Sequence, residues 1–267
     1  MCGVEISAHL DALDRDGALL ADAAETAGLD APVPGCPGWQ VRDLLRHQAY
    51  VHDWAARHVR ERSPELIDDG LAESDILGRG PDGADLVAAY RAGHAALMAT
   101  LRAAGPDVEC ATFMPAPSPL AFWARRQAHE TAVHRYDAQS ARPGGPPDPA
   151  TAFDPAFAAD GIDELIMGFA ARRRYRYRAR NGDGDGGGER SLTVRVQDAD
   201  GRWHVRLAEG GTVVSREDQA ADCTLQGPAA GLYAFLWNRA DAAQAGIAVA
   251  GSPDVLARWN GSVRILW

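Results

Sequence analysis

The residues with the most chemistry in their spacing lie in one segment, Phe122-Trp123-Ala124-Arg125-Arg126-Gln127-Ala128-His129-Glu130-Thr131-Ala132-Val133-His134-Arg135-Tyr136-Asp137. On a helix, Glu130 and His134 are one turn apart and stack on the same face, which they share with Trp123 and Val133. A carboxylate and an imidazole on an apolar stripe are costly to bury unless they are paired or bound to a metal. Two ligands one turn apart can share one ion, as the two histidines of H-E-x-x-H do. His129 points about 100° away from Glu130 on the same helix. A third ligand has to come from elsewhere, and the segment around residue 50 offers His47 and His52. His47 shares a stripe with Leu44, Val51 and Trp54, whereas His52 aligns with Gln48, Ala49, Ala55 and Ala56. His47 is therefore the better inward-facing candidate. The competing reading is a buried Glu–His hydrogen-bonded pair that joins two helices, with His58 and His94 as surface or satisfied core histidines.

These residues need a rigid frame, and apolar groups spaced at three and four supply one. Helices are expected over 6–27, ending at Gly28; over 40–62; over 84–104, closed by Gly105-Pro106; and over 120–141, stopped by Arg142-Pro143-Gly144-Gly145. A fifth is expected over 155–174. Four helices of this length suit a bundle with a metal site in its core. Residues 181–190 read as a flexible Gly/Asp linker. The start Asn181-Gly182-Asp183-Gly184-Asp185-Gly186 imitates a calcium loop, but its twelfth position is Leu192 rather than Glu. Beyond it the pattern alternates: 191–198, the turn Asp200-Gly201, then 202–208, with further strands at 223–226, 247–250 and 263–266 and helices at 228–239 and 253–259. The fold class is α+β: a helical bundle over 1–180, the linker, and a small α+β domain over 191–267.

Bulk properties narrow the function classes. The 267 residues carry 46% hydrophobic and 24% charged types, an ordinary globular balance. The net charge of −10 argues against nucleic acid as the main partner. The run Arg172-Arg173-Arg174-Tyr175-Arg176-Tyr177-Arg178-Ala179-Arg180 reads as a solvated helix end. No apolar run reaches membrane-spanning length, and the N-terminus lacks the pattern of a signal peptide. Cys2, Cys36, Cys110 and Cys223 form no C-x-x-C pair, which suits a reducing cytoplasm and marks Cys36 and Cys110 as spectators. All 27 cationic residues are arginine. That suggests a GC-rich, actinobacterial coding genome and leaves no lysine for Schiff-base chemistry.

Pro37-Gly38-Trp39-Gln40-Val41-Arg42-Asp43-Leu44-Leu45-Arg46-His47, the H-E-x-x-x-H-R-x-D stretch at 129–137 and the C-terminal pattern together resemble the mycothiol-dependent maleylpyruvate isomerase family, part of the DinB-like metal-binding bundle group. The resemblance runs through nearly the whole chain and is looser in the C-terminal half. There, 221–227, 232–239 and 247–251 follow the family's strand–helix–strand rhythm. By this resemblance the metal ligands are His47, Glu130 and His134. The ion would be zinc first, with iron or another transition metal as alternatives. It would activate mycothiol or a similar thiol, whose addition, bond rotation and elimination give cis–trans isomerisation, or S-transfer without the return step. The family's arginine for an anionic substrate falls on Arg239, with Arg258 as rival. Relatives carry Gly-Asp after the last strand, where this chain has Gly251-Ser252-Pro253, a departure that bears on the substrate. Asp137 would support a ligand histidine or pair with Arg135. The partners expected are a small-molecule substrate and a thiol, not nucleic acid or membrane. The residues alone also leave open a metal-dependent hydrolase and a non-catalytic metal or small-molecule binding protein, and they do not fix the oligomeric state.

Overall fold

The computed structural model describes residues 4–172, 188–208 and 211–262. The chain divides into two compact units, Val4–Pro147 and Asp148–Trp267.

The first unit is built on four long helices, α1 (Ile6–Ala27), α2 (Val41–Glu61), α4 (Ala84–Ala103) and α5 (Pro119–Ser140), with a five-residue helix α3 (Glu73–Leu77) before α4. The punctuation in the sequence explains their ends. Ser118 caps α5, its hydroxyl accepting from the Ala121 amide at 3.1 Å, and Pro119 occupies the first turn, where its missing N–H costs nothing. At the start of α2 the Asp43 carboxylate accepts from the Gln40 amide at 2.9 Å. Gly28 ends α1 with φ +84°, a conformation that a side chain would strain. α1 packs along α5, and α2 packs against α4. Leu20, Leu44, Leu45, Leu86 and Tyr90 meet in the core between them. Gly17 leaves room on α1 for the ring of His94, whose Cε1 would lie 2.2 Å from a Cβ there. Eighteen of the 22 residues of α5 are buried, so this helix is covered on every side and not along one stripe alone.

The second unit opens with α6 (Pro149–Ala152), α7 (Pro155–Asp163) and a π-helical segment, Glu164–Ala170. A five-stranded sheet follows, from β1 (Arg190–Val196), β2 (Arg202–Ala208), β3 (Gly211–Ser215), β4 (Cys223–Gly227) and β5 (Ala248–Gly251), in the order β3-β2-β1-β4-β5. β1 and β4 are parallel, and the other neighbours are antiparallel. Helix α8 (Ala229–Leu236) joins β4 to β5, and α9 (Pro253–Ser262) follows. No residue between 40 and 140 contributes a strand to this sheet.

Three expectations change. The division lies at residues 147/148 rather than near 180, because the helices from residue 149 onward pack with the sheet unit: Phe153 and Tyr233 of α8 meet edge to face at 4.8 Å, and Phe169 and Trp237 at 6.0 Å. Asp163 also ties α7 to the sheet, accepting from the Trp203 indole at 2.9 Å and from Nε and Nη2 of Arg216 at 2.8 Å each. The helix expected over 155–174 is shorter and turns π-helical at Glu164. α3 and β3 were not expected. The linker through residue 187, the Arg/Tyr run from 173 to 180 and the strand at 263–266 lie outside the described residues.

Candidate metal centre

Helix α2 delivers His47 and α5 delivers Glu130 and His134, and all three side chains are buried. The Nε2 atoms of His47 and His134 each lie 3.2 Å from the same Glu130 oxygen, Oε1. One ligand atom from each residue falls within 4.8 Å of the other two. Donors about 2.0–2.1 Å from a tetrahedral ion sit roughly 3.3 Å apart, so the two histidine–carboxylate distances match the spacing that a zinc-sized ion requires. Two imidazoles and one carboxylate leave one position open on such an ion, which is the arrangement of a reactive site, not a closed structural one.

The surroundings orient each donor. His134 Nδ1 lies 2.9 Å from Asp137 Oδ2. The carboxylate holds the ring proton on Nδ1 and turns Nε2 toward Glu130. Cys36 donates its thiol to the same Asp137 oxygen at 3.5 Å. Arg126, one turn before Glu130 and itself buried, donates to Glu130 Oε2 at 2.7 Å. Gln48 donates to Oε1 at 3.3 Å. The Trp39 ring stands 5.1 Å from the His47 ring and 6.4 Å from that of His134, forming an apolar wall.

These contacts set the charges. Burial pushes the His47 imidazole down, against the pull of the hydrogen bond to Glu130, and keeps it neutral as a ligand must be. Burial also pushes on His134, but hydrogen bonds to Asp137, Cys36 and Glu130 outweigh it and hold its pKa well above the ordinary histidine range. Burial would raise Glu130; His134, His47 and Arg126 prevail and hold it far below the usual carboxylate range. Among the protein groups alone, a proton therefore occupies His134 beside an ionised Glu130, and an arriving cation competes with that proton.

Family models match both halves of the chain. The mycothiol maleylpyruvate isomerase N-terminal domain covers residues 10–139 and the MDMPI C-terminal domain covers 156–258. The chain belongs to the mycothiol-dependent maleylpyruvate isomerase family. It is an enzyme of that family. A crystal structure of the mycothiol-dependent maleylpyruvate isomerase is similar in fold, with TM-score 0.59 and 12% identity over 88% of this chain and 91% of that one. A histidine-to-alanine mutant of that enzyme gives TM-score 0.57, also at 12% identity over 88% and 91%. No curated protein matches the sequence.

Against this family background the other candidate residues fall into place. His52 is buried, but its Nε2 meets the Thr131 hydroxyl at 3.0 Å, and burial pushes its pKa down to about 3. It joins none of the three-residue clusters of metal-binding atoms among the described residues, whereas His47 does. His58 is a satisfied core histidine, with Nδ1 at 2.8 Å from the Trp54 carbonyl and Nε2 accepting from Ile67 at 3.0 Å. Asp137 faces His134, while Arg135 reaches Gln139 at 2.8 Å and Asp16 at 3.4 Å. In the C-terminal unit, Arg239 follows α8 after the left-handed Asn238 and donates to the Trp237 carbonyl at 2.7 Å. Arg258, on α9, donates to the Gly188 carbonyl at 3.2 Å. Four neighbours of the cluster have no role in the sequence reading, although Trp39 stands in its Pro37-Gly38-Trp39 motif and Cys36 reads there as a spectator. Arg126 was legible, four residues before Glu130 on the same helix face. Gln48 and Trp39 flank residues already singled out. Cys36 had no signal, because the contact to Asp137 spans 101 residues.

Proposed function

We propose that this family member is a metal-dependent enzyme that uses a low-molecular-weight thiol, mycothiol or a close analogue, on a small electrophilic and anionic substrate, for cis–trans isomerisation or S-transfer. The observation that carries the reading is the convergence of two neutral-capable imidazole nitrogens and one carboxylate oxygen in a buried core, within a family named for its thiol. His47, Glu130 and His134 would hold a divalent ion, zinc first from the donor set, which would supply a thiol in its thiolate form at neutral pH, the form that adds reversibly to a conjugated double bond.

The chain's own groups have distinct tasks in this reading. His47, Glu130 and His134 hold the ion. Asp137 fixes the ring of His134 and keeps Nδ1 protonated. Trp39 covers one side with apolar surface, which strengthens every charge interaction beside it. Arg239 holds a carboxylate of the substrate, with Arg258 next in line, because a planar guanidinium matches a carboxylate with two parallel donors.

The test is conversion of maleylpyruvate to its trans isomer by zinc-loaded protein, with and without mycothiol. Turnover that requires both zinc and thiol supports the reading. Turnover of an ester or amide with zinc alone, unaffected by thiol, would replace it with a hydrolase.

A further inference from the structure

Glu130 has two oxygens, and the structure treats them differently. Oε1 faces both ligand imidazoles at 3.2 Å, while Oε2 is held by Arg126 at 2.7 Å. Arg126 and Glu130 are 2% and 1% exposed, so this ion pair sits in a medium where charge is costly and must be balanced. A bidentate carboxylate would fill two positions on an ion, and an oxygen committed to a guanidinium is a poor second ligand.

Charge counting points the same way. Glu130 and Asp137 contribute two negative charges, Arg126 one positive, and a dication would add two more, a sum of +1 over these four groups. A monoanion at the open position brings that sum to zero; without Arg126 the same anion leaves it at −1. We propose that Arg126 is a positioning residue that keeps Glu130 a one-oxygen ligand and makes the open position select a monoanion over a neutral molecule. The inference rests on the metal reading of the cluster and adds a reason why a thiolate, not a thiol, is the bound form. The recognised class is a small monoanionic donor, whether thiolate, azide or hydroxide.

Cobalt(II) in place of zinc makes the test spectroscopic, because the visible bands of cobalt are most intense in four-coordinate sites and weaken as the coordination number rises. Azide, a monoanion, and imidazole, a neutral donor, are titrated into cobalt-loaded wild type, Arg126→Met and Arg126→Lys, with helix content checked in each. Wild type is expected to prefer azide. Arg126→Met is expected to weaken the bands, as Oε2 is released toward the ion, and to lower azide affinity on the order of tenfold more than imidazole affinity, since it also removes a nearby charge in a low-permittivity site. Arg126→Lys is expected to keep the azide preference but to weaken the bands, because one point charge does not restrain Oε2 as the planar fork does. Equal azide and imidazole affinities in wild type and Arg126→Met would overturn the proposal, as would equal loss of both. If Arg126→Met does not fold, Arg126→Lys decides: unchanged bands would overturn the one-oxygen role. A wild type that takes up no cobalt would instead sink the metal reading itself, and this inference with it.

Discussion

Replacing Asp137 with Asn tests whether the groups behind the ligands matter as much as the ligands. Asp137 is fully buried and accepts from His134 Nδ1 at 2.9 Å. Asparagine keeps the shape but removes the charge, so the contact falls from a charge-assisted hydrogen bond to a neutral one. It also presents an amide NH₂ that can face Nδ1, which would favour the tautomer with the proton on Nε2, the atom needed for the metal. Losses behind a ligand histidine run to about 10–100-fold in metal affinity, or about 1.4–2.7 kcal/mol. The difference between a charged and a neutral buried hydrogen bond, about 1–1.5 kcal/mol, reaches the lower end of that range. We therefore expect zinc affinity to fall about tenfold to thirtyfold, measured by chelator competition at fixed pH. Helix content should stay constant, since Asn fits the same space. Unchanged affinity would refute the claim that Asp137 sets the ring orientation, and it would leave the Cys36 and His134 contacts as packing alone.

Four further outcomes follow. Zinc affinity should rise with pH, by up to about tenfold per unit below the folded pKa of His134, because the elevated pKa of His134 means that binding displaces a proton; a flat profile would contradict the proton on His134. The metal-free protein should show the opposite trend: a raised folded pKa stabilises fully below the unfolded value of about 6.5, and this contribution fades as pH rises through the folded pKa, which a denaturant series at several pH values reads directly. Arg239→Ala should retain full metal content yet lose turnover or substrate affinity on an anionic substrate, and full activity would make Arg239 structural and bring Arg258 forward. Gly231→Ala should destabilise the C-terminal unit by about 1–3 kcal/mol, since its Cβ would sit 2.0 Å from the Ala245 carbonyl oxygen; an unchanged unfolding midpoint would show that this backbone contact yields easily.

Much of the helical unit was legible because its ends are written in turn chemistry. The stretch 6–27 is bounded by Gly28, and α4 and α5 are bounded by Gly105-Pro106 and Ser118-Pro119. Helix-face reasoning on α2 ranked His47 above His52, yet both are buried, and Gln48, Ala55 and Ala56 beside His52 are buried while Val51 and Trp54 beside His47 are only half-buried. It had little power on α5. His129 and Glu130 point in directions about 100° apart, yet both are buried, because this helix is covered all round. Only the position of His47 decides which of them faces the cluster. The division at residue 147 was hidden because the Gly-rich run after 181 draws the eye, while the partners of Phe153 and Phe169 lie at Tyr233 and Trp237, far along the chain. β3 is short and carries an exposed Val213, too little pattern for alternation to register. Cys36 reaches the site through a loop whose path no periodicity encodes.

The most direct measurement is the metal content of the purified protein, paired with mycothiol titration of the wild type and of His47→Ala. The account predicts one divalent ion per wild-type chain, thiol binding that depends on that ion, and loss of both in His47→Ala. Metal retained at full stoichiometry in His47→Ala, or thiol bound equally well after the ion is stripped, would contradict it.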